Sequence, residues 1–264
     1  MIINISEYLI NVAIIIFGGI IGSFLNVCIY RLPRNKSIIF PSSLCPACEK
    51  PIKFYDNIPV ISYLLLKGKC RECSVHISIR YPLVELITAL FFFMLFKKYG
   101  LSFEFFVSIL FISLLIAISF IDLDFRIIPD VLSIGGLIAG FVLAFFRQPF
   151  FFYPDALYGI LLGGGILFVI AYGYELLRKR EGMGGGDIKL LGMIGAFCGI
   201  KGVLFSLMSG SLLGTMVGIP MMMIKGEDSK YAIPFGPFLS LGALIFIFIG
   251  DKIMSVFLNF AAGR

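Results

Sequence analysis

Two aspartates, Asp122 and Asp187, lie 65 residues apart at the ends of strongly apolar runs, and the second closes the glycine-packed string Gly182-Met183-Gly184-Gly185-Gly186-Asp187. A carboxylate at a membrane edge is costly to desolvate, which marks it as a functional group. Two carboxylates held close together cannot both ionise. They share one proton, so a single residue type supplies an acid and a base. That is the chemistry of an aspartyl protease.

A second constellation is Cys45-Pro46-Ala47-Cys48 followed, after 21 intervening residues, by Cys70-Arg71-Glu72-Cys73. Each pair can present two thiolates from one tight knuckle, and the two pairs together offer the four soft ligands of a closed tetrahedral zinc site. Two disulfides or a redox-active pair are the competing readings. A location in the reducing cytoplasm and the lack of a βαβ pattern around either pair weigh against them. His76, three residues past Cys73, is a possible ligand, but four thiolates already fill the site and it reads as a surface residue. Cys28 and Cys198 stand alone in apolar runs and read as small packing hydrophobes.

The elements that must position these groups are membrane helices. The chain is 59% hydrophobic and 14% charged with a mean hydropathy of +1.01, where a soluble domain carries about 25% charge. Its apolar residues fall in blocks near the roughly 20 residues that a helix needs to cross a hydrocarbon core. Their spacing predicts helices at 8–30, 82–97, 102–121, 130–146, 156–176, 187–199, 202–224 and 233–258. The expected fold is therefore an all-α polytopic membrane protein of about eight transmembrane helices with a small cytoplasmic zinc-binding loop domain. Residues 1–30 form the first transmembrane helix, 31–81 the four-cysteine zinc loop domain, and 82–264 a membrane peptidase core of about seven helices. The segments at 82–97 and 187–199 are short, and one of them can be read as a buried or re-entrant piece. The loop 31–81 has little core of its own, so metal binding would supply much of its folding free energy.

Charge sets the expected orientation. The run Leu9 to Tyr30 has no basic residue before it and Arg31, Arg34 and Lys36 just after it, the reverse of a cleavable signal peptide, so it is expected to stay in the mature chain. With the amino terminus outside, the loops 31–81, 122–129, 177–186 and 225–232, together with Lys189, place 16 of the 22 Lys and Arg on the cytoplasmic side. The net charge of +6 then reads as orientation and contact with anionic membrane lipid, not as nucleic-acid binding.

Three carboxylates crowd the junction Phe120 to Asp130. Asp122 is nearest the preceding apolar run and best placed to be desolvated. Asp124 faces elsewhere if the helix continues, and Asp130 after Pro129 reads as an ordinary helix start. The glycines Gly182, Gly184, Gly185 and Gly186 leave bare backbone beside Asp187, where an extended peptide substrate could lie. A phosphate loop is excluded, because no Gly-Lys-Ser/Thr follows and no strand-turn-helix unit surrounds the string. Lys189, Arg126 and Lys179 either tune the carboxylates or meet lipid phosphates. The stretches Phe91-Phe92-Phe93 and Phe150-Phe151-Phe152 read as helix surface or interfacial anchors.

Taken in order, these residues resemble the bacterial type IV prepilin peptidases, membrane aspartyl proteases of the GxGD type. Similarity runs from Gly22-Ser23-Phe24-Leu25-Asn26-Val27-Cys28-Ile29-Tyr30-Arg31-Leu32-Pro33 through the Cys pairs flanking Asn57-Ile58-Pro59-Val60-Ile61-Ser62-Tyr63 to Arg80-Tyr81-Pro82-Leu83-Val84-Glu85-Leu86. It continues through Ile121-Asp122-Leu123-Asp124, Glu181 to Leu191 and Ile233-Pro234-Phe235-Gly236-Pro237-Phe238, and so covers nearly the whole chain. The resemblance implies catalytic roles for Asp122 and Asp187, with Gly184, Gly185 and Gly186 beside the substrate. It implies cleavage of the basic leader of type IV prepilins or type II secretion pseudopilins, after a glycine, at the cytoplasmic face of the bacterial inner membrane. Members with the cysteine loop also methylate the new amino terminus with S-adenosylmethionine, and all four cysteines are here. The segment between Pro33 and Cys45 is shorter than in many relatives. No residue motif identifies the methyl-donor site, and Glu85 reads either as an amine ligand or as a helix-start residue.

Two rival classes make different demands. An ion-coupled transporter predicts carboxylates at mid-membrane depth and inverted repeats, whereas these aspartates lie at helix ends and no internal repeat is visible. A zinc-bearing membrane adaptor would leave the aspartates and the glycine string without a purpose.

Overall fold

The structure, a computed structural model, describes residues 5–147, 151–178, 184–225 and 234–261. Gly182, Met183, Lys179, Phe150, Ile233 and most of the loop 225–232 lie outside the described residues. Long helices dominate: α1 Ile5–Arg31, α3 Arg80–Tyr99, α4 Phe103–Phe125, α5 Asp130–Ala144, α6 Tyr153–Arg178, α7 Gly185–Lys225 and α8 Gly236–Ala261. A short helix, α2 Ile61–Leu65, and two 3-10 turns, Leu32–Arg34 and Phe54–Asn57, lie in the segment between α1 and α3. Among the described residues the only β pairing is two isolated bridges, Leu44 with Pro51 and Lys69 with His76.

The protein is an all-α polytopic membrane protein. α1, α4, α6 and α7 are long and apolar enough to cross a membrane, and 130–144 and 236–250 form shorter apolar helices. α7 is two helices in series. Gly199 takes φ 65° and ψ −168°, a conformation reserved for glycine, and breaks the helix where the sequence predicts the gap between 187–199 and 202–224. The short first half is enclosed: Leu190, Leu191, Met193, Ile194 and Ala196 are fully buried. Such a segment does not need the length of a lipid-facing span, because neighbouring helices surround it. By contrast Leu161, Phe168 and Leu176 of α6 point outwards as an apolar surface suited to lipid.

The chain divides into two compact units, Met1–Ala117 and Ile118–Arg264, with the boundary inside α4. In the first unit α1 packs along α3. A Cβ on Gly18 would lie 2.6 Å from Cα of Ala89, and one on Gly22 would lie 2.6 Å from Cα of Glu85. These two glycines, four residues apart on one helix face, let the backbones touch in the manner of small-residue packing in membranes. In the second unit α7 packs against α5, α6 and α8, with backbone contact between Gly159 of α6 and Gly195 of α7.

Candidate functional site

Asp122 sits in the last turn of α4 and Asp187 in the first turn of α7, both in the second unit. Apolar α4 residues carry Asp122 to a buried position, 5% exposed, with Ile118 and Ile121 beside it fully enclosed. The two carboxylates are close enough for the charge of Asp122 to act on Asp187. The main-chain N–H of Gly236, at the start of α8, donates to Asp122 Oδ2 at 3.0 Å. A Cβ at residue 236 would fall 2.7 Å from that same oxygen, so only glycine lets the amide approach in this way. Ile128 lies against Gly236 on one side and Gly186 on the other, where a Cβ would meet it at 3.2 Å and 2.9 Å. Gly184 and Gly185 are exposed beside Asp187. Two carboxylates sharing one site, one oriented by a fixed amide and the other flanked by bare backbone, can divide acid and base roles over an extended peptide.

The other carboxylates of the junction are outside this arrangement. Asp124 is exposed, and Asp130 begins α5 directly after Pro129. Lys189 Nζ pairs with Asp130 Oδ1 at 2.6 Å, so its partner is a helix-start carboxylate and not Asp122 or Asp187.

The four cysteines converge in the first unit. Sγ atoms of Cys45, Cys48, Cys70 and Cys73 all lie within 4.8 Å of one another, and Cys45 is the most enclosed. Both pairs have the same local construction. Cys45 N–H donates to Lys50 O and Glu49 N–H to Cys45 O; likewise Cys70 N–H donates to Val75 O and Ser74 N–H to Cys70 O. Glu49 and Ser74 occupy equivalent places and both take positive φ, 56° and 57°. The bridges Leu44–Pro51 and Lys69–His76 close the two knuckles at equivalent positions. Burial opposes ionisation of Cys45, but the amides of Cys48 and Ala47 and the thiols of Cys48 and Cys70 outweigh it and bring the thiol down to about 7. At Cys73 the Val75 amide favours the thiolate, yet burial and the three neighbouring cysteines hold the thiol up at about 12. Four thiols so close together cannot all ionise without a cation among them, and this donor set fits a soft divalent metal. His76 is exposed and outside the cluster. The salt bridge Lys50–Glu72 at 3.0 Å links one knuckle to the other, and Arg71–Asp56 at 2.6 Å ties the second to its surroundings.

Comparison with known proteins fits this geometry. Residues 16–99 match the bacterial peptidase A24 N-terminal domain, and residues 109–219 match the type IV leader peptidase family. A protein of Pseudomonas aeruginosa named prepilin leader peptidase/N-methyltransferase is 35% identical over 270 residues, covering 94% of this chain and 93% of its own. The chain belongs to the type IV leader peptidase family. Proteins of the same name in Pseudomonas putida and Myxococcus xanthus are 34% and 40% identical; the alignments cover 93% and 82% of this family member and 92% and 64% of those proteins. No solved structure matches.

Some features of this leader peptidase family chain escape sequence reasoning. Gly236 is legible only as part of a resembling stretch, since nothing local links it to a carboxylate 114 residues away. Gly18 and Gly22 carry a usable signal, a small-xxx-small pair in an apolar helix. Val60 carries none. It takes φ 61° and ψ −47°, and Ile61 N–H donates back to Pro59 O at 2.6 Å, which makes a strained γ-turn on a β-branched residue.

Proposed function

We propose that this chain cleaves the leader peptide of type IV prepilins, or of type II secretion pseudopilins, and methylates the amino terminus so exposed. The observation that carries the proposal is the pair Asp122 and Asp187, brought into mutual electrostatic reach at two helix ends with the Gly236 amide on one of them. The names of the relatives supply the substrate class and the second activity.

In the proteolytic step one aspartate removes a proton from a water molecule as it attacks the scissile carbonyl, and the other donates a proton to the carbonyl oxygen. Collapse of the tetrahedral intermediate breaks the C–N bond, and the amine leaves with a proton returned through the pair. Gly236 fixes the orientation of Asp122, and Gly184 to Gly186 leave room for the substrate backbone. The division of labour follows 31–81 as a loop domain and 82–264 as the membrane peptidase core, with 1–30 as the first membrane helix. Cys45, Cys48, Cys70 and Cys73 hold one structural zinc ion. S-adenosylmethionine supplies the methyl group. The chain resides in the bacterial inner membrane with its amino terminus outside and the aspartates on the cytoplasmic side, in contact with lipid.

The test is incubation of the purified protein with a synthetic prepilin and S-adenosylmethionine, followed by mass analysis of the new terminus and metal analysis of the protein. A leader released after a glycine and a terminus heavier by one methyl group are the expected products. An uncut substrate would refute the reading.

A further inference from the structure

The cavity enclosed by the end of α1, the loop and the start of α3 lies wholly within the first unit and has a volume of about 850 Å³. That is within the range of small-molecule sites. Four buried polar or charged side chains line it. Arg31 donates to the carbonyls of Ser37, Pro41 and Ser42, and Ser62 donates to Tyr55 O, which leaves Asn26 and Glu85, 3% and 8% exposed. Asn26 Nδ2 donates to Tyr81 O at 2.9 Å, which fixes the amide orientation and leaves Oδ1 as an acceptor. That oxygen is buried and accepts no hydrogen bond from any described residue. A buried acceptor without a donor is destabilising, so its presence calls for a ligand that donates.

Glu85 points to the same class of ligand. Two other carboxylates of the cavity wall, Asp56 and Glu72, are paired with Arg71 and Lys50, and a third, Glu49, is exposed to solvent, whereas Glu85 is buried. Glu85 has neutral donors instead, the Val60 N–H at 2.7 Å from Oε2 and the Ser23 hydroxyl. The Val60 amide reaches it from the strained γ-turn, and strain of this kind persists only where the surroundings impose it. Gly22 admits the α3 backbone at Glu85 itself, and it lies one helical turn before Asn26 on α1. A buried carboxylate with neutral partners and an unpaired amide oxygen lining the same cavity make a site for a cationic N–H donor.

We propose that Asn26 and Glu85 form the binding site for the amino terminus of a peptide, the group that receives the methyl. This inference rests on the proposed methyltransferase reading for its purpose, but not for its ligand chemistry. Glu85 binds the terminus as an ammonium and takes a proton from it. The freed nitrogen lone pair then forms the N–C bond as the C–S bond of the sulfonium donor breaks, and the donor leaves as a neutral thioether. Asn26 Oδ1 accepts a second N–H and orients the nitrogen.

The experiment uses the purified full-length protein in detergent micelles and a pre-cleaved pilin peptide labelled at its carboxyl end, with a free amino terminus or an acetylated one. In the wild-type protein acetylation weakens peptide binding about tenfold or more, the loss expected for a charge-assisted hydrogen bond. Glu85→Gln keeps an oxygen to accept the Val60 N–H and loses the charge, so the two peptides bind it within about twofold of each other. Asn26→Ala narrows the difference to a lesser extent. Both variants keep leader cleavage, which reports an intact fold, and both bind S-adenosylmethionine within about twofold of wild type by calorimetry. A wild-type protein that does not discriminate between the peptides overturns the proposal, as does a Glu85→Gln variant that still does. Loss of S-adenosylmethionine binding in Glu85→Gln also overturns it, by making the cavity a donor pocket. A protein that discriminates between the peptides yet never methylates supports the amine site and refutes the methyltransferase reading.

Discussion

The cysteine cluster and the carboxylate pair solve the same problem, holding like groups together, in opposite ways. The cluster draws its ligands from one stretch of chain, and each knuckle is shaped by main-chain hydrogen bonds between residues no more than nine apart. The carboxylates and their amide come from α4, α7 and α8, and only the packing of helices brings Asp122, Asp187 and Gly236 together. A locally encoded site has a geometry able to receive a metal ion, whereas a packed site has one only when the helices around it are in place. Damage should therefore remain local in the first case. In the second it should scale with how directly a change touches the packed atoms.

The comparison is tested most severely at the aspartates. Asp122→Asn or Asp187→Asn should lower leader cleavage by about 10³-fold or more with the protein still inserted, and the double variant should be little worse than either single one. Cleavage rates on a synthetic prepilin decide this, and near-normal activity in either variant would remove the dyad. Next in size, a Cys45→Ser, Cys48→Ser double variant should lose bound zinc and about 10²-fold in methyl transfer to a pre-cleaved peptide, with cleavage kept within about threefold. Metal analysis and the two separate assays read this out, and equal loss of both activities would end the claim of locality. A smaller effect is expected at Gly236→Ala. The added methyl displaces Asp122 Oδ2 and should reduce cleavage about tenfold without touching zinc content or methylation of the pre-cleaved peptide. Least of all, Lys189→Ala breaks an exposed ion pair with Asp130 and should change thermal stability by about 0.5 kcal/mol and cleavage hardly at all. A large loss there would mean that Lys189 serves the carboxylates after all.

Much of this molecule is legible in its sequence, for reasons the two regions make plain. Blocks of apolar residues fix the helices because lipid and buried packing both require them, and even the interruption near Gly199 shows as a gap between two runs. The cysteine spacing is legible because its information is local. Asp122 and Asp187 stand out because carboxylates are rare in apolar runs. What the sequence hides is contact between distant segments. The Gly236 amide, the Ile128 side chain between two glycines and the Lys189–Asp130 pair depend on which helices meet, and no periodicity records that. Positive φ at Glu49, Val60 and Ser74 is hidden for another reason, since none of these residue types favours it and the surrounding hydrogen bonds impose it.

The tight seam of α1 on α3 has a further consequence for the metal. With Gly18 and Gly22 against the α3 backbone and Asn26 bonded to Tyr81 O, the two ends of the loop are tethered before any ion arrives. The two knuckles therefore meet at a raised effective concentration, and part of the configurational entropy of ring closure is lost in forming the helix pair and would not have to be lost on metal binding. An excised 31–81 peptide lacks that tether and should bind zinc more weakly than the full chain, by about threefold, the effect of roughly one doubling of the closure length. Competition titration of both against a chelator of known affinity would measure the difference, and equal affinities would mean that the knuckles find each other unaided.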